Sequence, residues 1–523
     1  LNAHLQSEAK MKPFHDGNGI QSLNEWKSIG PYAVGGRVTS IAVHPTDGKT
    51  VWIGTADGGV WKSTDRGGNW TAMMDNENAI AMGAIAVDPT NPNVLYAGTG
   101  EMSSNSDAYS GAGVFKSSDG GTSWTPIGLT SVGAFSRIAV HPKDGNLVLA
   151  AATKNNGGVY RSENGGATWT RTFGFPASDI IVNPKDVKEV WIGTMSKGIY
   201  HSLDGGKTFN PSSPDISPFG STVGRISIVV SPTTPTILYA LTSESEDGTP
   251  VTYHARIYRS TNSGANWTSI NNDDPNNFMN DQGWYNQSLA VSPTNPNTVI
   301  AGGVSIVKTT NAGNAGGTDW YYINTYATFP HPDQHAVAFD PMNPNRIYAG
   351  CDGGMYISED AGQSFQSVNN NLAITQFYAM GVNQNATTTV AYGGAQDNGT
   401  IGTASLTYGD LLGGDGGYVA VDPQTSSIVY CESQEGKNIT QVDLNTGNRT
   451  SIMNGIPATT DAAAWAAPIA IDPQAEGVLW HVRHYIYTTL QGGDPWFQVS
   501  DKAVFNGLGS AIEYLQQVAD KKV

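Results

Sequence analysis

Charge is scarce in this chain of 523 residues, with Asp, Glu, Lys and Arg together making up 14%. So few charged positions cannot solvate the outer faces of many surface helices, which excludes a mainly helical architecture. Basic residues are the scarcer kind, 28 against 45 acidic ones, for a net charge of −17 at pH 7. That balance excludes nucleic acid and anionic membrane surfaces as partners. There are two cysteines, Cys351 and Cys431. Each ends the second strand of its repeat, two repeats apart, too far to bridge. No CxxC pair or His/Cys cluster offers a zinc site. No run of eighteen apolar residues occurs, so no transmembrane helix is expected. The chain opens at Leu1 without Met or a signal peptide, as a processed or shortened N-terminus would.

Glycine (62) and proline (27) are plentiful, which calls for many tight turns. Val, Ile, Thr, Tyr and Trp supply the residues of strands. One pattern recurs, Ser/Thr-x-Asp/Asn-x-Gly-x-x-Trp/Phe. It runs Ser63 to Trp70, Ser117 to Trp124, Ser162 to Trp169, Ser202 to Phe209, Ser260 to Trp267 and Ser358 to Phe365. A further copy with an insertion runs Thr309 to Trp320, and no copy is read after Phe365. The spacing matches the roughly 40–50 residues of a β-propeller blade.

The segments between copies repeat one order of elements. His335-Ala-Val-Ala-Phe339 reads as a buried inner strand, Asp340 to Asn345 as a turn and Arg346 to Gly350 as a second strand. Asp352-Gly-Gly354 is then a tight loop and Met355 to Ile357 a third strand, followed by the hairpin turn into an outer strand. The expected fold is therefore all-β, built of four-stranded antiparallel propeller blades. Ten blades are counted. Residues 1–34 form a lead-in, 35–370 a first propeller of seven blades, and 371–523 the start of a second. Gly509 to Val523 reads as the opening of an eleventh blade, so further C-terminal chain is expected. A single ten-bladed ring is the alternative.

Tracing the strands separates two faces. The repeated turn lies at one end of each blade, while the second-to-third-strand loops and the entries to the inner strands lie at the other. The chemically rich loops cluster at that other end: Glu101 in blade 2, Trp284 and Tyr285 entering blade 6, and Asp333 and His335 entering blade 7. Asp352 closes blade 7, Gln396, Asp397 and Asn398 close blade 8, and Asp415 and Tyr418 enter blade 9. Carboxylates beside Trp and Tyr suit sugar rings, which stack an apolar face and share hydroxyl hydrogen bonds. Hard oxygen ligands at Asp397, Asn398 and Asp415 would suit calcium.

The repeated turn resembles the Asp-box, or bacterial neuraminidase, repeat. Together with Asp352-Gly-Gly354, Gly393 to Gly399, Gly414-Asp415-Gly-Gly417 and the opening Trp26 to Val38, it resembles glycoside hydrolase family 74, the xyloglucanases. More distantly it is similar to the sortilin propeller. The family-74 resemblance implies two seven-bladed propellers with a glycan cleft between them. It also implies an inverting pair of carboxylates on blades 1 and 8, here Asp57 and Asp397. The Asp57 loop departs from the family pattern, since Thr55-Ala56-Asp57-Gly58-Gly59 moves the Asp by one place. A sialidase-like reading would have Arg37, Arg137 and Arg225 converge on a carboxylate. A non-catalytic adhesion or receptor propeller, binding an extracellular glycan or a cell-surface protein, is the remaining alternative. Each of these readings places the chain outside the cell or on its surface.

Overall fold

A computed structural model describes residues 28–103, 108–212, 222–245, 253–270, 278–312, 319–323, 330–382, 390–457 and 460–500. Most of the lead-in, the tips of the blade 2 and blade 5 insertions (104–107 and 246–252) and the eleventh repeat fall outside these residues.

Among the described residues ten antiparallel sheets follow one another along the chain, nine of four strands and one of three, each in sequential order. Second strands such as Val51–Thr55, Leu95–Thr99 and Val190–Thr194 are buried at every position. A strand covered on both faces needs no polar alternation, which is why these segments read as continuous Val, Ile, Trp and Tyr. The exception to the four-stranded rule is blade 8, where Phe377–Val382, Ala391–Ala395 and Gly399–Gly402 have no fourth partner strand among the described residues. An isolated bridge, Thr400 to Leu412, takes that place.

The repeated turn is a folding device. In blade 1 the Ser63 hydroxyl accepts the Gly67 N–H at 2.7 Å and donates to Asp65 Oδ1 at 2.8 Å. Asp65 Oδ1 also accepts the Asn69 N–H at 2.9 Å. Gly67 sits at φ +93°, a conformation that a side chain resists. The aromatic residue that ends each turn then ties its blade to the preceding one. Trp169 Nε1 donates to Ile127 O at 3.0 Å, and Trp267 Nε1 to Ser212 O at 3.1 Å. A cation on the third strand reaches the opposite way, into the next turn. Lys62 Nζ donates to Gly120 O, and Lys116 Nζ to Gly165 O, both at 3.0 Å.

By the same rule the ring closes after seven blades. Trp70 of blade 1 donates to Val368 O of blade 7 at 2.7 Å. The inner strand of blade 7, Gln334–Asp340, packs directly on that of blade 1, Val38–Val43. One apolar cluster joins Val51, Ile53, Trp61 and Trp70 to Tyr348, Met355 and Ile357. A ten-bladed ring is therefore not the arrangement. Blades 8, 9 and 10 form an arc beside the ring, with inner strands Phe377–Val382, Gly416–Val421 and Ile469–Ile471 packed in sequence.

The turn also persists beyond Phe365, contrary to the sequence reading. In blade 10 the Gly493 N–H donates to Thr489 Oγ1 at 3.2 Å, and Trp496 Nε1 donates to Ile452 O of blade 9 at 2.6 Å. Thr489, Gly493 and Trp496 keep the spacing of Ser63, Gly67 and Trp70, while Gln491 replaces the Asp. The hydroxyl and the glycine preserve the turn without the carboxylate that marks the motif.

Candidate functional site

Ring and arc meet at the end opposite the repeated turns. Four polar residues there each stand immediately before an inner strand: Arg37, Asp333, Gln376 and Asp415. Three carboxylates, Asp57, Glu101 and Asp397, each stand two places past the end of a second strand. Blade geometry brings these positions together from distant parts of the chain.

Asp352 is the hub. Its carboxylate accepts Arg37 Nε at 3.2 Å, pairs with His335 Nε2 at 2.7 Å, accepts Gln396 Nε2 at 3.4 Å and accepts the Tyr285 hydroxyl. The other edge of Arg37 donates to both oxygens of Glu101 at 3.1 Å, and its guanidinium stands 5.2 Å from the centre of the Tyr285 ring. Ser103 donates to Glu101 Oε1 at 2.6 Å. The loop that carries Asp352 is held by Asn369, which donates to Gly353 O and accepts the Met355 N–H, both at 2.8 Å. Gly354 lies at φ +104°, and a Cβ there would stand 2.2 Å from Asn369 Oδ1, so the tight Asp-Gly-Gly turn needs its glycine.

Asp333 and Asp397 stand beside the hub, and carboxylate oxygens of all three aspartates lie within 4.8 Å of one another. Burial alone would raise the Asp352 carboxyl, but Arg37 and His335 outweigh it and hold it well below the usual range. Its neighbours go the other way. Burial, then the Asp352 charge, pushes Asp333 up to about 8 against the hydrogen bond from Asn286. Burial and the hydrogen bond and charge of Asp352 raise Asp397 well above the carboxylate range. One ionised carboxylate thus keeps two protonated ones beside it.

Asp397 is tied into the junction on several sides. Its N–H donates to Asp415 Oδ1 at 2.7 Å, its carboxyl accepts Gln396 Nε2 at 2.6 Å, and its carbonyl contacts His331 Nε2 at 3.0 Å. Asn398 donates to the carbonyls of Asp352 and Gln396, both at 2.9 Å. Asp57 is half-buried and accepts the side-chain amide of Gln376, whose backbone carbonyl accepts the Gln396 N–H at 2.9 Å. Gln376 and Gln396 therefore stand between Asp57 and Asp397.

Some expectations fall elsewhere. Tyr418 packs against the apolar cluster between blades 9 and 10. Its place in the inner strand turns it into the blade interface. Trp284 is 38% exposed, with its ring 5.5 Å from that of Tyr285, and forms a platform next to the hub. The three arginines do not converge. Arg37 is neutralised by Glu101 and Asp352, Arg137 pairs with Asp179 at 3.3 Å, and Arg225 donates to the carbonyls of Tyr285 and Gln287. In the calcium trio Asp415 Oδ1 accepts the Asp397 N–H and the Asn398 amide nitrogen donates to two carbonyls, while Asn398 Oδ1 is buried without a hydrogen-bond partner. Cys351 and Cys431 are buried and unpaired. Gln376 and Ser103 were not anticipated; for Gln376 the signal was its place directly before an inner strand.

No protein-family model matches the chain. Among curated proteins it is 25% identical over 322 residues to a probable oligoxyloglucan-reducing end-specific xyloglucanase of Neosartorya fischeri, over 59% of this chain and 31% of that protein. It is 26% identical over 271 residues to a xyloglucanase of Hypocrea jecorina, covering 47% of this chain and 27% of that protein. To the oligoxyloglucan-reducing end-specific xyloglucanase of Emericella nidulans it is 26% identical over 397 residues, covering 66% of this chain and 42% of that protein. The chain thus spans less than half the length of these relatives.

Among solved structures, the GH74 xyloglucanase of Xanthomonas campestris superposes with a TM-score of 0.71 at 17% identity, over 93% of this chain and 76% of the other. The GH74 enzyme of Niastella koreensis gives 0.67 at 19%, over 90% and 73%. The fold is the one seen in these enzymes. No helix among the described residues is long and apolar enough to cross a membrane.

Proposed function

We propose that the chain is the propeller part of an extracellular glycoside hydrolase that acts on a xyloglucan-type polysaccharide at the junction of ring and arc. The arc of blades 8 to 10 is read as the opening of a second propeller, residues 371–523, facing the closed ring across that junction. The observation that carries the reading is Asp397, a carboxyl kept protonated by its ionised neighbour Asp352 in a wall that also presents Trp284. A protonated carboxyl beside a sugar platform is what a general acid requires.

Asp397 donates its proton to the glycosidic oxygen as the bond breaks. Asp57, at the same loop position in blade 1, takes a proton from the attacking water. Asp333 is too close to act as that base, because its oxygens lie within 4.8 Å of those of Asp397. An inverting pair needs roughly 6.5–9.5 Å between carboxylates to admit the water.

Reducing-sugar release from xyloglucan tests the assignment, with the anomer of the first product read by proton NMR. Asp397→Asn and Asp57→Asn should each lower release about 10²–10⁴-fold while glycan binding persists. Unchanged release in the double variant sinks the assignment of both residues. Tight binding by the wild type without any release points instead to an adhesion or receptor propeller. The close packing of Asp397 against Gln396 and Asp415 favours that second reading.

A further inference from the structure

The segment that joins ring to arc, residues 369–376, is built into blade 1 rather than hung between the two bodies. Leu372 and Ile374 are buried in the apolar cluster that closes the ring. The Thr375 hydroxyl lies 3.1 Å from the carbonyls of both Val34 and Gly35. Ile374 also packs on the loop that carries Asp57, where a Cβ on Gly58 would stand 2.8 Å from Ile374 Cγ2. That loop has its own ties. The Gly58 N–H donates to Thr55 Oγ1 at 2.9 Å, and Trp61 Nε1 donates to Gly58 O at 2.8 Å. Gln376 therefore meets Asp57 from a backbone anchored on the same blade.

The Gln376 side chain donates its amide N–H to the Asp57 carboxylate. A carboxylate only accepts, so this contact fixes which end of the amide faces Asp57. The Gln376 backbone carbonyl accepts the Gln396 N–H at 2.9 Å, and Gln396 Nε2 in turn donates to the Asp397 carboxyl at 2.6 Å. One amide thus stands at each of the two carboxyls, and a main-chain hydrogen bond joins the amides' residues. The surroundings of the carboxyls differ. Asp397 lies against the ionised Asp352 and keeps its proton. Asp57 is half-buried, and a donated hydrogen bond favours its charged form.

We infer that Gln376 is a positioning residue whose amide fixes the orientation of the Asp57 carboxylate and keeps it ionised, a role that rests on the reading of Asp57 as the base of an inverting pair. Gln376 acts here only through Asp57.

Gln376→Met keeps the length of the side chain and the main-chain link to Gln396 but removes the donor. Gln376 Oε1 is buried without a partner, so the exchange abandons no hydrogen bond on that side and the Tm should hold. Kinetics on xyloglucan should show kcat lowered about 10–10²-fold with KM unchanged, and the acid limb of the pH profile moved to higher pH. A second readout needs no turnover. Carbodiimides couple glycine ethyl ester to protonated carboxyls, and peptide mass spectrometry measures the product at Asp57. At about pH 6 that labelling should rise at least about threefold in Gln376→Met, and further in Gln376→Glu, where a second carboxylate faces Asp57. Unchanged labelling of Asp57 in both variants overturns the inference whatever the activity. A lower Tm as the only change overturns it too, since Gln376 would then be merely structural. Raised labelling in a chain whose wild type releases no sugar leaves Gln376 as the residue that sets Asp57 and removes the proposed reaction instead.

Discussion

Arg37 donates to Asp352 at 3.2 Å across 315 positions of sequence, with both side chains essentially out of solvent. This pair lies where blade 7 closes onto blade 1, so one contact serves both the ring and the chemistry of the junction. The partners on either side, Glu101 and His335, leave neither charge dependent on water.

Removing one side of such a pair strands the other. Arg37→Met should destabilise the chain by about 3–5 kcal/mol, because Asp352 and Glu101 then lose a buried counter-ion. Urea unfolding followed by tryptophan fluorescence would register it. A loss below about 1 kcal/mol would mean that water replaces the guanidinium without strain.

Stability should fall as pH rises from about 4 to about 8. Asp333 titrates at about 8 in the folded chain against an ordinary 3.8, and Glu432, buried between Tyr418 and Ala467, at about 8 against 4.5. The folded state holds these protons where the unfolded state has released them. Their contribution is complete below the unfolded values, declines as pH rises, and is gone above about 8. Denaturation midpoints at about pH 5, 7 and 9 should drop in the wild type and flatten in Asp333→Asn/Glu432→Gln. A wild-type profile flat across that span would contradict the burial of these protons.

Closure of the ring can be separated from packing of the arc. Trp70→Ala removes the tie to Val368 and the ring's shared apolar cluster, and should cost about 3–5 kcal/mol. Trp496→Ala removes the equivalent tie to Ile452 in the arc and should leave ring unfolding unchanged. Two resolved transitions, each moved by one variant, are the expected result in calorimetry. A single transition shifted equally by both would show that ring and arc unfold as one.

Chelation should be silent. Asp415 Oδ1 already accepts the Asp397 N–H and the Asp397 carboxyl already accepts Gln396, so dialysis against EDTA should leave the Tm where it was. A drop restored by calcium but not by magnesium would reassign those oxygens to a cation.

The blades were legible because their signals are local. Ser63, Asp65, Gly67 and Trp70 complete their turn within eight residues, and alternation plus turn chemistry placed each inner strand. What escaped was of two kinds. The Thr489 turn was missed because the Asp drew the eye, whereas the hydroxyl and the positive-φ glycine form the turn. Tyr285, His335 and Asp352 were each expected on this face, but their joining to Arg37 comes only through ring closure, which no window of sequence displays. Tyr418 was misplaced for a simpler reason. A loop rich in glycine reads as exposed, yet Gly416–Val421 is already strand, and every second side chain there faces the neighbouring blade.

Closure also imposes an order in time. Arg37 leaves the ribosome early, whereas Asp352 and Asp397 follow only after nearly the whole ring has been made. Until then Arg37 has Glu101 alone of its two carboxylate partners. The junction is complete only after the seventh blade docks on the first and blades 8 and 9 bring Asp397 and Asp415 to it.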